Sequence, residues 1–126
     1  MNAPNDRSYT EAHEWALSTS SDTIRIGISD FAQGALGDIV YADLPDIGKV
    51  VAAGEPIAEI ESTKSVGELY APAAGTVVAT NGALEDAPEL VNSDPYGEGW
   101  IVELSITEPL KGLLGAAEYL ALIDTD

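Results

Sequence analysis

The chain has no cysteine, which excludes disulfides, thiolate nucleophiles and sulfur-ligated zinc or iron–sulfur sites; any redox chemistry must come from an added group. Basic residues are few. Five Lys and Arg stand against 22 Asp and Glu, a formal net charge of −17, and a phosphate backbone or anionic membrane surface repels such a chain. Nucleic-acid binding is thereby excluded. The one histidine, His13, rules out His-Glu-x-x-His metal chemistry, and no serine is marked as its partner in a triad. There is no Gly-x-Ser-x-Gly elbow, phosphate-cradling Gly-Lys loop or EF-hand loop, so no catalytic residue and no metal site is expected. Nor is there an apolar run of membrane-spanning length. Residues 1–8 have neither a secretion signal's apolar run nor an Arg-rich transit bias, and are expected to be a short ragged N-terminus. The expected location is a reducing compartment, most simply the cytoplasm of a bacterium.

What is present suits a folded core. At 126 residues, 45% hydrophobic and 21% charged, the chain has the length and composition of one globular domain, expected to span 1–126 as a monomer. Ile24, Ile26 and Ile28 alternate with Arg25 and Gly27, the period-two pattern of a strand with one buried face. Ser29 then suits a helix N-cap, the spacing predicts a helix over 30–36, and Gly37 closes it with positive φ. Further strands are predicted at 39–44, 57–62, 66–71 and 76–80, and a last one where Trp100, Val102, Leu104 and Ile106 alternate. A helical turn is expected within 83–92. Leu113, Leu114, Ala117, Leu120 and Ala121 recur at three- and four-residue steps, which predicts an amphipathic C-terminal helix over 116–123. The fold class is therefore mainly β, with short peripheral helices and a C-terminal helix.

Lysine is scarce: Lys49, Lys64 and Lys111 are all there is. Lys64 falls between two predicted strands that only Thr63-Lys64-Ser65 separate, so it belongs near a hairpin tip, where a modifying enzyme reaches an amine without unfolding a sheet. Position alone also fits a lysine that is simply solvated.

The surrounding run, Glu61-Ser62-Thr63-Lys64-Ser65-Val66-Gly67-Glu68-Leu69-Tyr70-Ala71-Pro72-Ala73-Ala74-Gly75, resembles the lipoyl-attachment segment of the glycine cleavage system H proteins. Tyr9-Thr10-Glu11-Ala12-His13-Glu14-Trp15, the stretches 26–33, 36–40 and 92–100, and Leu113-Leu114-Gly115-Ala116-Ala117-Glu118-Tyr119 are similar to that family's other segments, in its order. The resemblance covers the chain from Tyr9 to Ile123.

It implies a barrel-sandwich hybrid, the flattened β-barrel of lipoyl and biotinyl carriers, with Gly54 and Gly75 as turn glycines. It implies lipoate held covalently on Lys64 by a lipoate ligase or octanoyltransferase, and a non-catalytic shuttle. The arm would take the aminomethyl group of glycine from a pyridoxal-phosphate glycine decarboxylase, pass it to a tetrahydrofolate-dependent aminomethyltransferase, and be reoxidised by an FAD-containing dihydrolipoyl dehydrogenase. Glu14 and Glu68 are implied as carboxylates of the cleft that shelters the loaded arm. Two positions depart from the family pattern: Ala12 stands where members carry a serine, and Glu68 where an aspartate is common. The resemblance leaves Glu14 the alternative of an exposed acid on an edge segment, has His13 and Trp15 packing near the cleft, places Trp100 in the core, and docks the C-terminal helix through Leu113, Leu114 and Tyr119.

Other readings remain at this point. Biotinyl domains resemble Ala-Met-Lys-Met, and Thr63 and Ser65 replace both methionines here. Lipoyl domains of 2-oxoacid dehydrogenases usually show Asp-Lys-Ala. An H-like protein relaying lipoyl or octanoyl groups fits the same residues, and an unmodified acidic binding module is a reading of a different class.

Overall fold

Alternation of large and small side chains decides how the strands stack. The computed structural model describes residues 3–124. The strands are β1 (Ser8–Tyr9), β2 (Glu14–Ser18), β3 (Thr23–Ile28), β4 (Ile39–Asp43), β5 (Val50–Val51), β6 (Pro56–Ser62), β7 (Val66–Tyr70), β8 (Gly75–Thr80) and β9 (Val102–Ile106). They form a larger sheet in the order β1-β2-β3-β9-β8-β5 and a smaller one in the order β4-β6-β7, with every pairing antiparallel. Ile24, Ile26, Ile28, Val77, Val102 and Leu104 from the larger sheet meet Ile39, Ala42, Ile57, Ile60 and Leu69 from the smaller one in a single core. The architecture is thus a flattened sandwich of two facing sheets rather than a closed barrel, with few short helices.

The opposite face of the larger sheet carries a second apolar cluster. Trp15 projects onto that face from β2 while its neighbours Glu14 and Ala16 point between the sheets, as period-two geometry requires. In the register of β2 with β3, Trp15 lies opposite Gly27, and a Cβ on Gly27 would come within 2.6 Å of the indole ring. The indole Nε1 donates to the Pro95 carbonyl at 3.0 Å. Arg25, also on this face, lies 4.5 Å over the Trp100 ring and pairs with Glu103 at 2.8 Å. The C-terminal helix α4 (Ala116–Asp124) closes the cluster: Tyr119 stacks on Tyr9 with ring centroids 4.7 Å apart, and the Leu114 and Tyr9 backbones exchange two hydrogen bonds of 2.8 Å. Leu114 and Tyr119 therefore dock the helix as expected, while Leu113 packs on the main core.

The short helices sit at the ends of the sandwich. The helix α1 (Asp30–Leu36) starts at Ser29, whose hydroxyl accepts from the Ala32 N–H at 3.1 Å, and stops at Gly37, whose φ of 86° is costly for any residue with a Cβ. The predicted turn within 83–92 is two single turns, α2 (Ala83–Asp86) and α3 (Leu90–Ser93).

Three expectations need correction. The described part of the N-terminal segment is packed: the Arg7 guanidinium lies 4.7 Å over the Trp15 ring and donates to the Tyr96 carbonyl, and the Pro4 carbonyl accepts from the Tyr9 hydroxyl. A second concerns Trp100, which is only half-buried and sits in the outer cluster; Ile101 takes the core position, because the last strand begins at Val102. The third is Gly75, which is not a turn residue but the first residue of β8, where a Cβ would lie 2.3 Å from the Ser105 carbonyl oxygen. Gly54, by contrast, is a turn glycine with φ of 83°.

Gly75→Ala should accordingly lower stability by about 1–3 kcal/mol, because the obstructing atom is backbone in the paired strand and cannot rotate away. Urea unfolding of the variant beside the parent chain checks this.

Candidate functional site

The β6–β7 hairpin carries Lys64 at its tip, and one side chain organises the turn. Ser62 Oγ accepts from the backbone N–H groups of Lys64 at 3.3 Å and Ser65 at 3.0 Å, while the Ser62 N–H donates to the Ser65 carbonyl at 2.8 Å. A further bond, Thr63 N–H to the Asp38 carbonyl at 3.1 Å, ties the tip to the loop after α1. Lys64 is exposed, and its methylenes pass over the end of α1: a Cβ on Gly37 would lie 3.4 Å from Lys64 Cε. That is an ordinary contact distance, so glycine at 37 is required by its φ of 86° and not by the lysine above it.

Beside this tip runs a groove of about 210 Å³. Phe31, Ala32, Ala35 and Leu36 of α1 form one wall, and Ile28, Ile60 and Gly67 line it from the strands. Ala12, His13 and Glu68 complete its rim. Gly67 keeps the floor low, since a Cβ there would come within 3.2 Å of Leu36. Asn92 holds the α1 wall in place: its side-chain amide donates to the Gly37 carbonyl at 2.9 Å and to Gln33, while its oxygen accepts from the Ile39 N–H at 2.8 Å. The surface is apolar with one carboxylate at its edge, so it suits a hydrocarbon chain ending in a polar or cationic group.

The structure places Glu68 in the groove's lining and Lys64 at the adjoining hairpin tip with its stem against Gly37, while Glu14 is not part of the lining. Glu14 is no exposed edge acid. It is 2% exposed, on an interior strand, and faces the smaller sheet. One carboxylate oxygen accepts from the Tyr70 N–H of β7; the other is bonded to the Thr10 hydroxyl at 3.2 Å, which in turn accepts from the Glu14 N–H. Burial raises the Glu14 pKa from its ordinary 4.5 to about 7, against the two hydrogen bonds that favour the charged form. Tyr70 joins both acids, because its hydroxyl is hydrogen-bonded to Glu68, which pushes the phenol's pKa upward. His13 adopts φ of 69°, in the left-handed region, and its ring packs 4.7 Å from Phe31 at the groove wall.

Ser62, Asn92 and Thr10 escaped sequence reasoning. Asn92 acts on groups 53 and 55 residues away, and nothing in its neighbourhood marks that. Ser62 bonds within its own turn, so a Ser four residues before the second strand was a usable signal.

An exposed lysine at a hairpin tip, on a flattened two-sheet sandwich with an apolar groove alongside, is the architecture of the carrier class of proteins. The comparisons are more specific. The family model described as glycine cleavage H-protein matches residues 7–126. The glycine cleavage system H protein of Mycolicibacterium smegmatis is 56% identical over 125 residues, covering 95% of each chain, and that of Thermus thermophilus is 50% identical over 100% of this chain and 99% of its own. The crystal structure of a glycine cleavage system H protein from Mycobacterium marinum superposes with a TM-score of 0.89 at 42% identity, covering 97% of this chain and 99% of that one. The chain belongs to the glycine cleavage H-protein family, whose function is that of a lipoyl carrier within the glycine cleavage system, a carrier component and not a catalyst.

The buried Glu14 has a consequence for pH. The folded chain keeps a proton on it where the unfolded chain has lost one, so its contribution to stability falls as pH rises from about 4.5 to about 7 and is constant above. Over that window the parent chain should lose about 3 kcal/mol relative to Glu14→Gln, measured as the difference between their denaturant unfolding free energies at either end.

Proposed function

We propose that Lys64 is the lipoyl attachment site and that the groove beside it shelters the arm. The observation carrying this reading is the placement of the Lys64 stem across Gly37, the residue after Leu36 of a groove also lined by Phe31 and Ile60. The residues present fit the group: an apolar channel for a hydrocarbon arm, with a carboxylate at the rim for a cationic cargo. Bound there, lipoate would supply a disulfide that can be reduced and reoxidised, one of whose two sulfurs can carry the aminomethyl group of glycine while the other is a thiol.

The chain's own residues present, shelter and steer. Ser62 holds the turn so that the lysine amine projects toward a lipoate ligase or octanoyltransferase. The α1 wall excludes water from whatever lies along the groove. Glu68 is the rim carboxylate for the cargo's ammonium group; Glu14 serves as the second only by exchanging its bonds to Tyr70 and Thr10 for the cargo, and with a pKa near neutrality it passes to its charged form when a cation approaches. Ala12 gives the rim a methyl in place of a hydroxyl, and Glu68 reaches one methylene further than an aspartate. The partners are the pyridoxal-phosphate glycine decarboxylase, the tetrahydrofolate-dependent aminomethyltransferase and the FAD-containing dihydrolipoyl dehydrogenase, met by the chain as a monomer in the cytoplasm. Among the described residues no helix is long and apolar enough to cross a membrane.

Protein made with lipoate and a competent ligase should gain one lipoyl increment in intact mass, mapped to Lys64 and absent from Lys49, Lys111 and the Lys64→Arg variant. A biotinyl increment, or no modification, overturns the assignment. A net charge of −17 should also make partner turnover fall steeply as ionic strength rises from 0.05 to about 0.3 M, because steering is screened within roughly 10 Å at 0.1 M. A flat salt profile would count against charge-steered encounters.

A further inference from the structure

The C-terminal helix reaches the groove through a single phenol. Tyr119 is 1% exposed, and its hydroxyl lies 2.6 Å from Ser29 Oγ and 2.8 Å from His13 Nδ1. Both partners belong to the groove's frame. Ser29 is the N-cap of α1, the helix that supplies Phe31, Ala32, Ala35 and Leu36 to the wall. His13 lines the groove itself, with its ring against Phe31.

Proton accounting orders this chain of bonds. Ser29 is completely buried and already accepts from the Ala32 N–H, so its own proton is best used toward Tyr119. The Tyr119 hydroxyl is in turn hydrogen-bonded to His13 Nδ1, so the phenol links the two residues. His13 holds a left-handed backbone conformation that a non-glycine residue adopts at a cost, so something has to keep it there. The Ser29 N–H to His13 carbonyl bond of 2.9 Å holds the backbone, and the Tyr119 hydroxyl holds the ring.

We propose that Tyr119 is a positioning residue for the carrier function: by bonding Ser29 and His13 together it sets the spacing of the groove walls, so the C-terminal helix governs how well the arm is sheltered. This rests on the assignment of the arm to Lys64 and the groove. The phenol touches neither arm nor cargo; it acts through the wall. Phenylalanine at 119 keeps the stacking on Tyr9 and removes only the hydroxyl, freeing the His13 ring and weakening the start of α1.

The test uses the lipoylated protein, its Lys64 occupancy confirmed by mass, loaded with the aminomethyl group by the decarboxylase and glycine and then freed of enzyme. Ammonia released by water is followed for the parent, Tyr119→Phe, and Ile123→Ala, a control that loosens the same helix without touching the bonds. Imidazole nitrogen NMR of His13 is recorded on the same chains. Tyr119→Phe should release ammonia about threefold to tenfold faster, the range expected for one net hydrogen bond, and shift the His13 nitrogens. Ile123→Ala should stay within about twofold of the parent at a comparable loss of melting temperature, and Tyr119→Phe should add little in a His13→Asn background, as coupled residues do. Release at the parent's rate in Tyr119→Phe, or equal acceleration in Ile123→Ala, overturns the proposal while leaving the carrier intact. An unmodified Lys64 in every chain overturns the carrier reading and the proposal with it.

Discussion

The contact between the inner faces of the two sheets is the constraint on which the rest of the molecule depends. Fully burying an Ile, Leu or Val side chain contributes roughly 1.5–3 kcal/mol, and both sheets contribute such residues to one core. Once the sheets face each other, period-two alternation dictates everything on their other faces. Trp15 lies on Gly27 with Arg7 over its ring, and Lys64 is exposed in the turn between β6 and β7. The groove is a by-product of the same packing. It forms where Phe31, Ala32, Ala35 and Leu36 of α1 face Ile28, Ile60 and Gly67 of the strands.

Polar groups inside this frame act as ties between elements that hydrophobic burial alone would leave free to slide. Glu14 joins the larger sheet to β7, Asn92 joins α3 to both ends of the loop between α1 and β4, and Tyr119 joins α4 to Ser29 and His13. Asn92 and Tyr119 both hold α1, one wall of the groove beside the hairpin. Buried polar groups that are satisfied only in one arrangement lend geometry rather than bulk stability. The Glu14 tie differs from the others in being titratable, and its raised pKa is the sign that burial, not ion pairing, dominates its surroundings.

Legibility in the sequence followed the range of each interaction. The Ser29 cap, the α1 helix and Gly37 are local, and their residues announce them within one turn. The hairpin strands around Lys64 were legible for the same reason, and the family resemblance supplied the flattened two-sheet architecture. The misreadings were also local in origin. Trp100 continues an alternating pattern, yet the strand begins later and the pattern's core position falls to Ile101. Gly75 looks like a turn residue between Pro72 and Thr76, but its small size serves a close approach to the Ser105 carbonyl oxygen.

The sequence by itself determined the chemistry available: no sulfur, one imidazole, three lysines, a large excess of carboxylates and a set of alternating strands with one exposed amine in a turn. Those follow from composition and short-range periodicity, which need no partner in space. Only the tertiary structure decided that Glu14 is buried against Tyr70 rather than exposed, that an apolar groove runs beside Lys64, and that Tyr119 reaches His13 across 106 residues. The reason is physical. Burial and hydrogen-bond partnership are properties of pairs of distant segments, and no window along the chain contains both members of such a pair.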